Sequence, residues 1–314
     1  MKETAIRMQP KVSVCIVSYN HQDFIGECLQ SLVDQKTNFD FEIIVGDDAS
    51  KDGTAEIVME FEQRYPDIVR LIRHEKNIGP SANYLSVHAA ARGEYVAHLD
   101  GDDCALPGKL QAQADCLDEN PDVAFTAHAV QIMNSSKVLG RKPHYPVKAT
   151  LNDLLMLGTY FVHSSVMYRK ATDFKRVPRR EIVDFFVHIE RATTGNIFFD
   201  DRVLGCYRIH PNGISQSLSR RAALEQCYEE AFDRAVELGA SPDLVRSARL
   251  KRRMSFAVDS LTMGDARRYR EKIVLTRHEE KFASWKHIVL SRSRVFPALV
   301  RCYLWASALR AKRS

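Results

Sequence analysis

Residues 12–19, VSVCIVSY, form a short apolar run rich in β-branched side chains, the pattern of a strand buried on both faces. After it, Ile25, Cys28, Leu29, Leu32 and Val33 recur at helical spacing and predict an amphipathic helix. FEIIV at 41–45 is a second buried strand, and a helix from about Thr54 places Ile57, Val58 and Phe61 on one face. A short strand over 69–73 precedes Pro80, which suits a helix first turn; that helix runs to Gly93, read as its stop. EYVAHL at 94–99 is the fourth strand. Strands alternating with helices predict βαβ units and a mostly parallel sheet, hence an α/β fold.

Beyond Pro107 the pattern continues with a helix carrying Leu110, Ala114 and Leu117 and ending at Asn120-Pro121. Strands are expected over 123–128, 164–168, 197–199 and 205–209, and helices over 151–157 and 184–194, with a basic connection at 141–148. From Arg221 the chain becomes rich in Ala, Glu and Arg with helical periodicity. The expected division is an α/β domain over 1–217 and a helical, basic C-terminal region over 218–314. At 314 residues and 45% hydrophobic, the chain can bury a sizeable core and is not a disordered one. Its seven cysteines include no Cys-x-x-Cys pair and read as reduced structural thiols. No apolar stretch reaches the length of a spanning helix, and MKETAIRMQPK lacks the apolar centre of a signal peptide. A cytoplasmic protein, soluble or peripheral at a membrane, is expected.

Three of the first four strands end in polar or acidic residues: Tyr19-Asn20, Asp47-Asp48 and Asp100-Gly101-Asp102-Asp103. In open α/β sheets, ligands bind beyond the carboxyl ends of the strands, so these segments would share one rim. Carboxylates crowded into one turn repel one another unless a cation joins them. The tetrad is therefore either a solvated Asp/Gly turn or a site for Mg2+ or Mn2+ with substrate phosphates. Asp47 and Asp48 could accept from a base N–H or a ribose hydroxyl, whereas Ser50 or Asp52 could simply cap the next helix. The Gly-rich signatures of dinucleotide-binding and P-loop proteins are absent, as is a G-x-S-x-G elbow.

Taken together, VSVCIVSYNH, EIIVGDDASKDGT, NIGPSANY and GEYVAHLDGDD, followed by SSVMYRKA, VDFFVHIERATTGNIFF and VLGCYRIHPNGIS, resemble the family 2 glycosyltransferases of GT-A fold. The resemblance spans about 12–217; Ala49 stands where the family usually has Gly, and 131–159 matches no motif of it. It implies an inverting transfer of a sugar from a nucleotide sugar, with a UDP-sugar expected, to a hydroxyl of a glycan or lipid-linked acceptor in surface polysaccharide biosynthesis. It implies that Tyr19, Asp47 and Asp48 bind the base and ribose, with Asn77 and Asn83 lining the pocket. Asp100 would contact the ribose or support the metal site. Asp102 and His210 would ligate the divalent metal, and Arg208 would neutralise the phosphates. Asp184 would be the catalytic base; its position also suits a helix N-cap. His163 is read as structural, within reach of the acceptor. Two other readings stay open: a nucleotidyltransferase of similar fold, which lacks here its Gly-rich, Lys-containing loop, and a sugar-nucleotide-binding scaffold without turnover.

Charge separates the two parts. Residues 241–314 hold 18 Lys and Arg against 6 Asp and Glu, while the whole chain is only +5. Clusters at Arg249, Lys251, Arg252 and Arg253, and at Arg267, Arg268, Arg270 and Lys272, precede an apolar stretch over 295–309 with Tyr303 and Trp305. Such a segment either anchors at an anionic membrane surface or packs as a helix with its charges solvated. Nucleic-acid binding has no zinc-binding or aromatic-interleaved motif behind it.

Overall fold

The computed structural model describes residues 9–172, 184–210, 221–262 and 264–276. The chain falls into two compact units, 1–154 with 159–219, and 155–158 with 220–314.

The first unit is built on a ten-stranded mixed sheet whose main path runs β3-β2-β1-β4-β9-β6-β10-β5. Its parallel half comprises β1 (Val12–Ser18), β2 (Phe41–Asp47), β3 (Val69–Arg73) and β4 (Tyr95–Asp100). Helices α1 (Ile25–Val33), α2 (Thr54–Arg64) and α3 (Pro80–Ala90) make the connections. Strand β1 is central because its side chains are covered on both faces: Val12, Val14, Cys15 and Ile16 are fully buried. The α1 stripe of Ile25, Cys28, Leu29 and Leu32 packs into the same core as Ile43, Val45 and Leu99. Parallel register pairs Ser18 with Asp47 and Val17 with Asp100, so the polar strand ends emerge at one edge.

The other, mixed half differs from the sequence expectation in three places. Residues 163–165 form a 3-10 turn, and the strand there, β9, is only Met167–Arg169. The turn is held from afar: Lys109 Nζ donates to Ser164 O (2.5 Å) and Gln113 Nε2 to Ser165 O (2.8 Å). Both donors lie on α4 (Lys109–Glu119). The strands expected at 197–199 and 205–209 are one strand, β10 (Asn196–Tyr207), parallel to β6 (Val123–Ile132) with bulge-like register shifts near 200–205. A short strand at Cys104–Ala105, β5, pairs with the end of β10 directly after the acidic turn. Gly93 does not stop α3, which ends at Ala90; a Cβ there would lie 2.6 Å from Ser13 N, so Gly93 permits a close approach to β1.

The second unit contains α7 (Arg221–Glu237), α8 (Pro242–Thr262) and α9 (Ala266–Thr276). Leu250, Met254, Ala257, Leu261, Tyr269 and Ile273 form its core. Several of the residues in the two basic clusters are paired with acidic ones. Arg249 bonds Asp233 and Glu229, Arg253 bonds Glu229, and Arg268 and Lys272 both bond Glu225. Among the described residues no helix is long and apolar enough to cross a membrane. The apolar stretch 295–309 and Cys302 lie outside the described residues.

Candidate functional site

The edge where β1, β2 and β4 end is assembled by side chains that stitch three loops together. Asn20 accepts from Lys51 N and donates its own N–H to Ser50 Oγ, both at 2.9 Å. His21 N donates to Thr54 Oγ1 (2.8 Å), and Gln22 Oε1 accepts from Gly53 N (2.6 Å). Asp52 accepts from the N–H and hydroxyl of Thr54, the first residue of α2, but it is not the helix cap: the N-cap position is Gly53, without a side-chain cap bond. Ala49 takes a left-handed φ of 57°, the conformation that favours glycine.

The two adjacent carboxylates after β2 differ in their surroundings. Asp48 accepts from Ile78 N (2.7 Å) and Gly79 N (3.0 Å), and its carbonyl accepts from Asn77 Nδ2 (3.2 Å). It shapes the loop leading into α3. Asp47 is fully buried; one oxygen accepts from Ser50 N (3.1 Å), while Oδ1 has no hydrogen-bond partner. A buried polar atom left open in this way suits an incoming donor group. Asn83 is buried, donating to Gly46 O (2.8 Å) and meeting His74 Nε2 (3.1 Å). A Cβ on Gly46 would lie 2.1 Å from Asn83 Oδ1, so this strand end accepts only glycine. Tyr19 is 39% exposed, and Asn77 is exposed.

The acidic turn meets residues from the far end of the sheet. Asp102 Oδ2 lies 2.9 Å from His210 Nε2. Asp103 is buried: Oδ1 accepts from Arg208 N (2.9 Å), and Oδ2 has no hydrogen-bond partner. Burial, with the charges of Asp100 and Asp102, raises the Asp103 carboxyl well above the usual carboxylate range. Arg208 donates to Asp102 O (2.9 Å) and Glu27 Oε2 (2.6 Å), and its guanidinium lies over the Phe24 ring. It thereby braces the loop that carries Asp102.

His21, Asp102 and His210 offer ligand atoms within 4.8 Å of one another, as do Asp100, Asp102 and Asp103. This mixed oxygen and imidazole set fits a divalent ion such as Mn2+ or Mg2+. His21 was not among the residues singled out from the sequence. Burial lowers its pKa and favours the neutral imidazole a metal requires. A Cβ on Gly101 would lie 2.9 Å from His21 Nδ1, so the glycine of the turn lets that ring in. The available signal was its place in SYNH, immediately beyond the first strand.

Asp184 opens α6 (Asp184–Ala192). Its own surface is exposed, yet the protein mass around it and the negative charge of Asp100 lift its carboxyl to about 6. One turn further along, His188 Nε2 lies 3.2 Å from His163 Nδ1, tying the 3-10 turn to this helix. The nucleotide-side candidates, the metal-side candidates and Asp184 all belong to the first unit.

Residues 13–176 match the family described as glycosyl transferase family 2. An uncharacterized protein of Mycobacterium tuberculosis is 33% identical over 212 residues, covering 66% of this chain and 61% of that protein. The chain thus spans less than two thirds of that relative's length. Staphylococcus aureus TarS bound to UDP-GlcNAc superposes with a TM-score of 0.64 at 21% identity, over 85% of this chain and 80% of that one. The mannosyltransferase PcManGT of Pyrobaculum calidifontis, bound to GDP-Man and Mn2+, gives 0.56 at 18% identity, over 97% and 85%. The common fold is the GT-A type, a mostly parallel sheet flanked by helices, followed by C-terminal helices.

Proposed function

Because the chain belongs to glycosyl transferase family 2, we propose that it transfers a sugar from a nucleotide-sugar donor, a UDP-sugar, to a hydroxyl of a glycan or lipid-linked acceptor, with inversion. The observation that carries this reading is the meeting of Asp102 with His210, 108 positions apart, beside the electrostatically linked pair Asp100 and Asp184. The open oxygen of Asp47 accepts a base N–H. Asp102, His210 and His21 would hold the divalent ion, and Asp100 offers a further carboxylate. That ion, when bound, neutralises the charge developing on the departing diphosphate.

The ionised Asp184 carboxylate takes the proton of the acceptor hydroxyl as its oxygen bonds to the anomeric carbon. The bond from that carbon to the diphosphate oxygen breaks on the opposite face, and the nucleoside diphosphate leaves with the electron pair. No covalent intermediate is needed, and so no nucleophilic side chain. Residues 1–217 carry this chemistry, and 218–314 form the helical extension. Surface polysaccharide assembly on the inner face of a membrane is the setting that suits such an acceptor.

A thermal-shift panel of UDP, GDP and their sugars, with and without Mn2+, tests the donor assignment. A ligand present at 100 times its Kd stabilises the folded state by about 2.7 kcal/mol. UDP with Mn2+ is expected to raise Tm, and Asp102→Ala to remove the Mn2+-dependent part of that rise. A wild-type Tm unmoved by every nucleotide would refute the proposal.

A further inference from the structure

A file of buried polar rings leads from the acidic turn into the sheet. Asp100 Oδ1 lies 3.2 Å from His98 Nε2, His98 Nδ1 lies 3.1 Å from His88 Nε2, and His88 Nδ1 lies 2.7 Å from Tyr168 Oη. His98 sits on β4 two residues before Asp100 and so on the same face of the strand; His88 comes from α3 and Tyr168 from β9. All three rings are nearly inaccessible, with His98 only 1% exposed, whereas the Asp100 side chain is 39% exposed. Among the described residues, the ring nitrogens of these buried histidines form no three-ligand metal group.

Three polar rings are costly to bury in a core that apolar side chains could fill, and the cost is offset only when each polar atom is bonded. Here the bonds join end to end. An ionised carboxylate only accepts, so His98 Nε2 carries a proton. His98 Nδ1 and His88 Nε2 share the next bond, and His88 Nδ1 and the Tyr168 hydroxyl the last. The second Asp100 oxygen accepts from Ser164 Oγ (3.2 Å), so both oxygens are held while the carboxylate still faces the site.

We propose that Tyr168, His88 and His98 form a hydrogen-bonded file that fixes the Asp100 carboxylate for the donor nucleotide, which makes His98 a positioning residue. The proposal rests on the reading of Asp100 as part of the nucleotide-sugar site. Burial, with the charged Arg191 nearby, pushes the His88 pKa well below its ordinary value, in keeping with a neutral His88 ring. The Arg191 guanidinium lies 3.3 Å from the Tyr168 ring centroid, and the His163 ring packs on His98 at 4.2 Å. Neither contact breaks the file.

Long-range 15N NMR of the histidines in the full chain reads the file directly, without any variant. His98 Nε2 is expected to carry a proton bonded to Asp100, and His88 to be a neutral ring at neutral pH; a bare His98 Nε2 overturns the proposal. Calorimetric binding of UDP with Mn2+ supplies the second readout. Tyr168→Phe keeps the ring beside Arg191 and removes the hydroxyl that meets His88 Nδ1; it is expected to shift the 15N resonances of His88 and raise KM for the donor several-fold with little change in kcat. His98→Phe is expected to weaken UDP binding about 10-fold, the scale of a lost hydrogen bond to a charged group, with partial rescue by His98→Gln, which retains an N–H donor. If Asp100→Asn leaves UDP affinity intact, the assignment of Asp100 to the donor site fails. If Asp100→Asn weakens binding while Tyr168→Phe and His98→Phe leave affinity and the His88 resonances unchanged, the positioning file alone fails.

Discussion

Replacing Asp184 by asparagine is expected to lower the transfer rate at least ~10²-fold, the usual scale of a lost general base, while donor affinity stays within a few-fold of wild type. Asparagine keeps the shape of aspartate and its ability to cap α6, but it cannot take a proton. The pH profile carries the same information. The protein mass around Asp184 and the charge of Asp100 raise its carboxyl to about 6, so the working carboxylate is lost as the pH falls through that value. Wild-type kcat should therefore climb through about pH 6 and level off above it, and the asparagine variant should lose this inflection. Equal losses of stability and activity in Asp184→Asn would return the residue to a capping role. Steady-state kinetics across pH, paired with urea denaturation of both proteins, separates these outcomes.

Acid should unfold the protein well before its carboxylates are fully protonated. His88, His128, His163 and His188 are buried, and burial holds the pKa of each well below the ordinary value of 6.5. Charged Arg191 adds to this for His88, His163 and His188. In the unfolded chain these rings protonate near pH 6.5, and in the folded chain they stay neutral. Their contribution is thus complete above that pH and is lost as the pH falls below it, by about 1.4 kcal/mol per pH unit for each ring. Asp103 and Asp184 act in the opposite sense, because their raised pKa values let the folded state bind protons that the unfolded state does not yet hold. The balance is a loss of about 2–3 kcal/mol per pH unit between roughly pH 6 and pH 5. Urea midpoints measured at about pH 7, 6 and 5 check the slope. Unchanged midpoints over this range would mean that the buried rings are protonated in the folded state.

What could be seen in the sequence were the features that depend on local periodicity. The β1 strand and the α1 stripe are legible because burial on two faces or on one stripe writes itself into neighbouring positions. The rim was legible as well, since Asp47 and Asp100 each close an apolar run. What stayed hidden depends on distant partners. Ser164 and Ser165 look like strand residues until Lys109 and Gln113 reach them from α4. The charged segment at 200–202 reads as a break, yet β10 passes through it with register shifts, and Arg202 folds back onto Asp200 (2.5 Å). Arg208 is a plausible phosphate ligand in sequence, but its partner Glu27 lies 181 positions away. Asp48 and Asn83 look like pocket residues, yet backbone groups of the surrounding loops engage both of them. His21 closes the VSVCIVSYNH motif, but its metal-side place depends on the distant turn at Gly101, where it meets Asp102 and His210. The basic run around Arg249 reads as an exposed face until the acidic residues of α7 pair with it.

The most direct test of the account is nucleotide release from a panel of UDP-sugars by the full chain, without acceptor, in Mn2+ and in EDTA, with Asp102→Ala alongside. The account predicts slow release of UDP from at least one UDP-sugar in Mn2+, abolished by EDTA and by Asp102→Ala. Release that continues unchanged in EDTA and in the variant, or none from any donor in Mn2+, would contradict it.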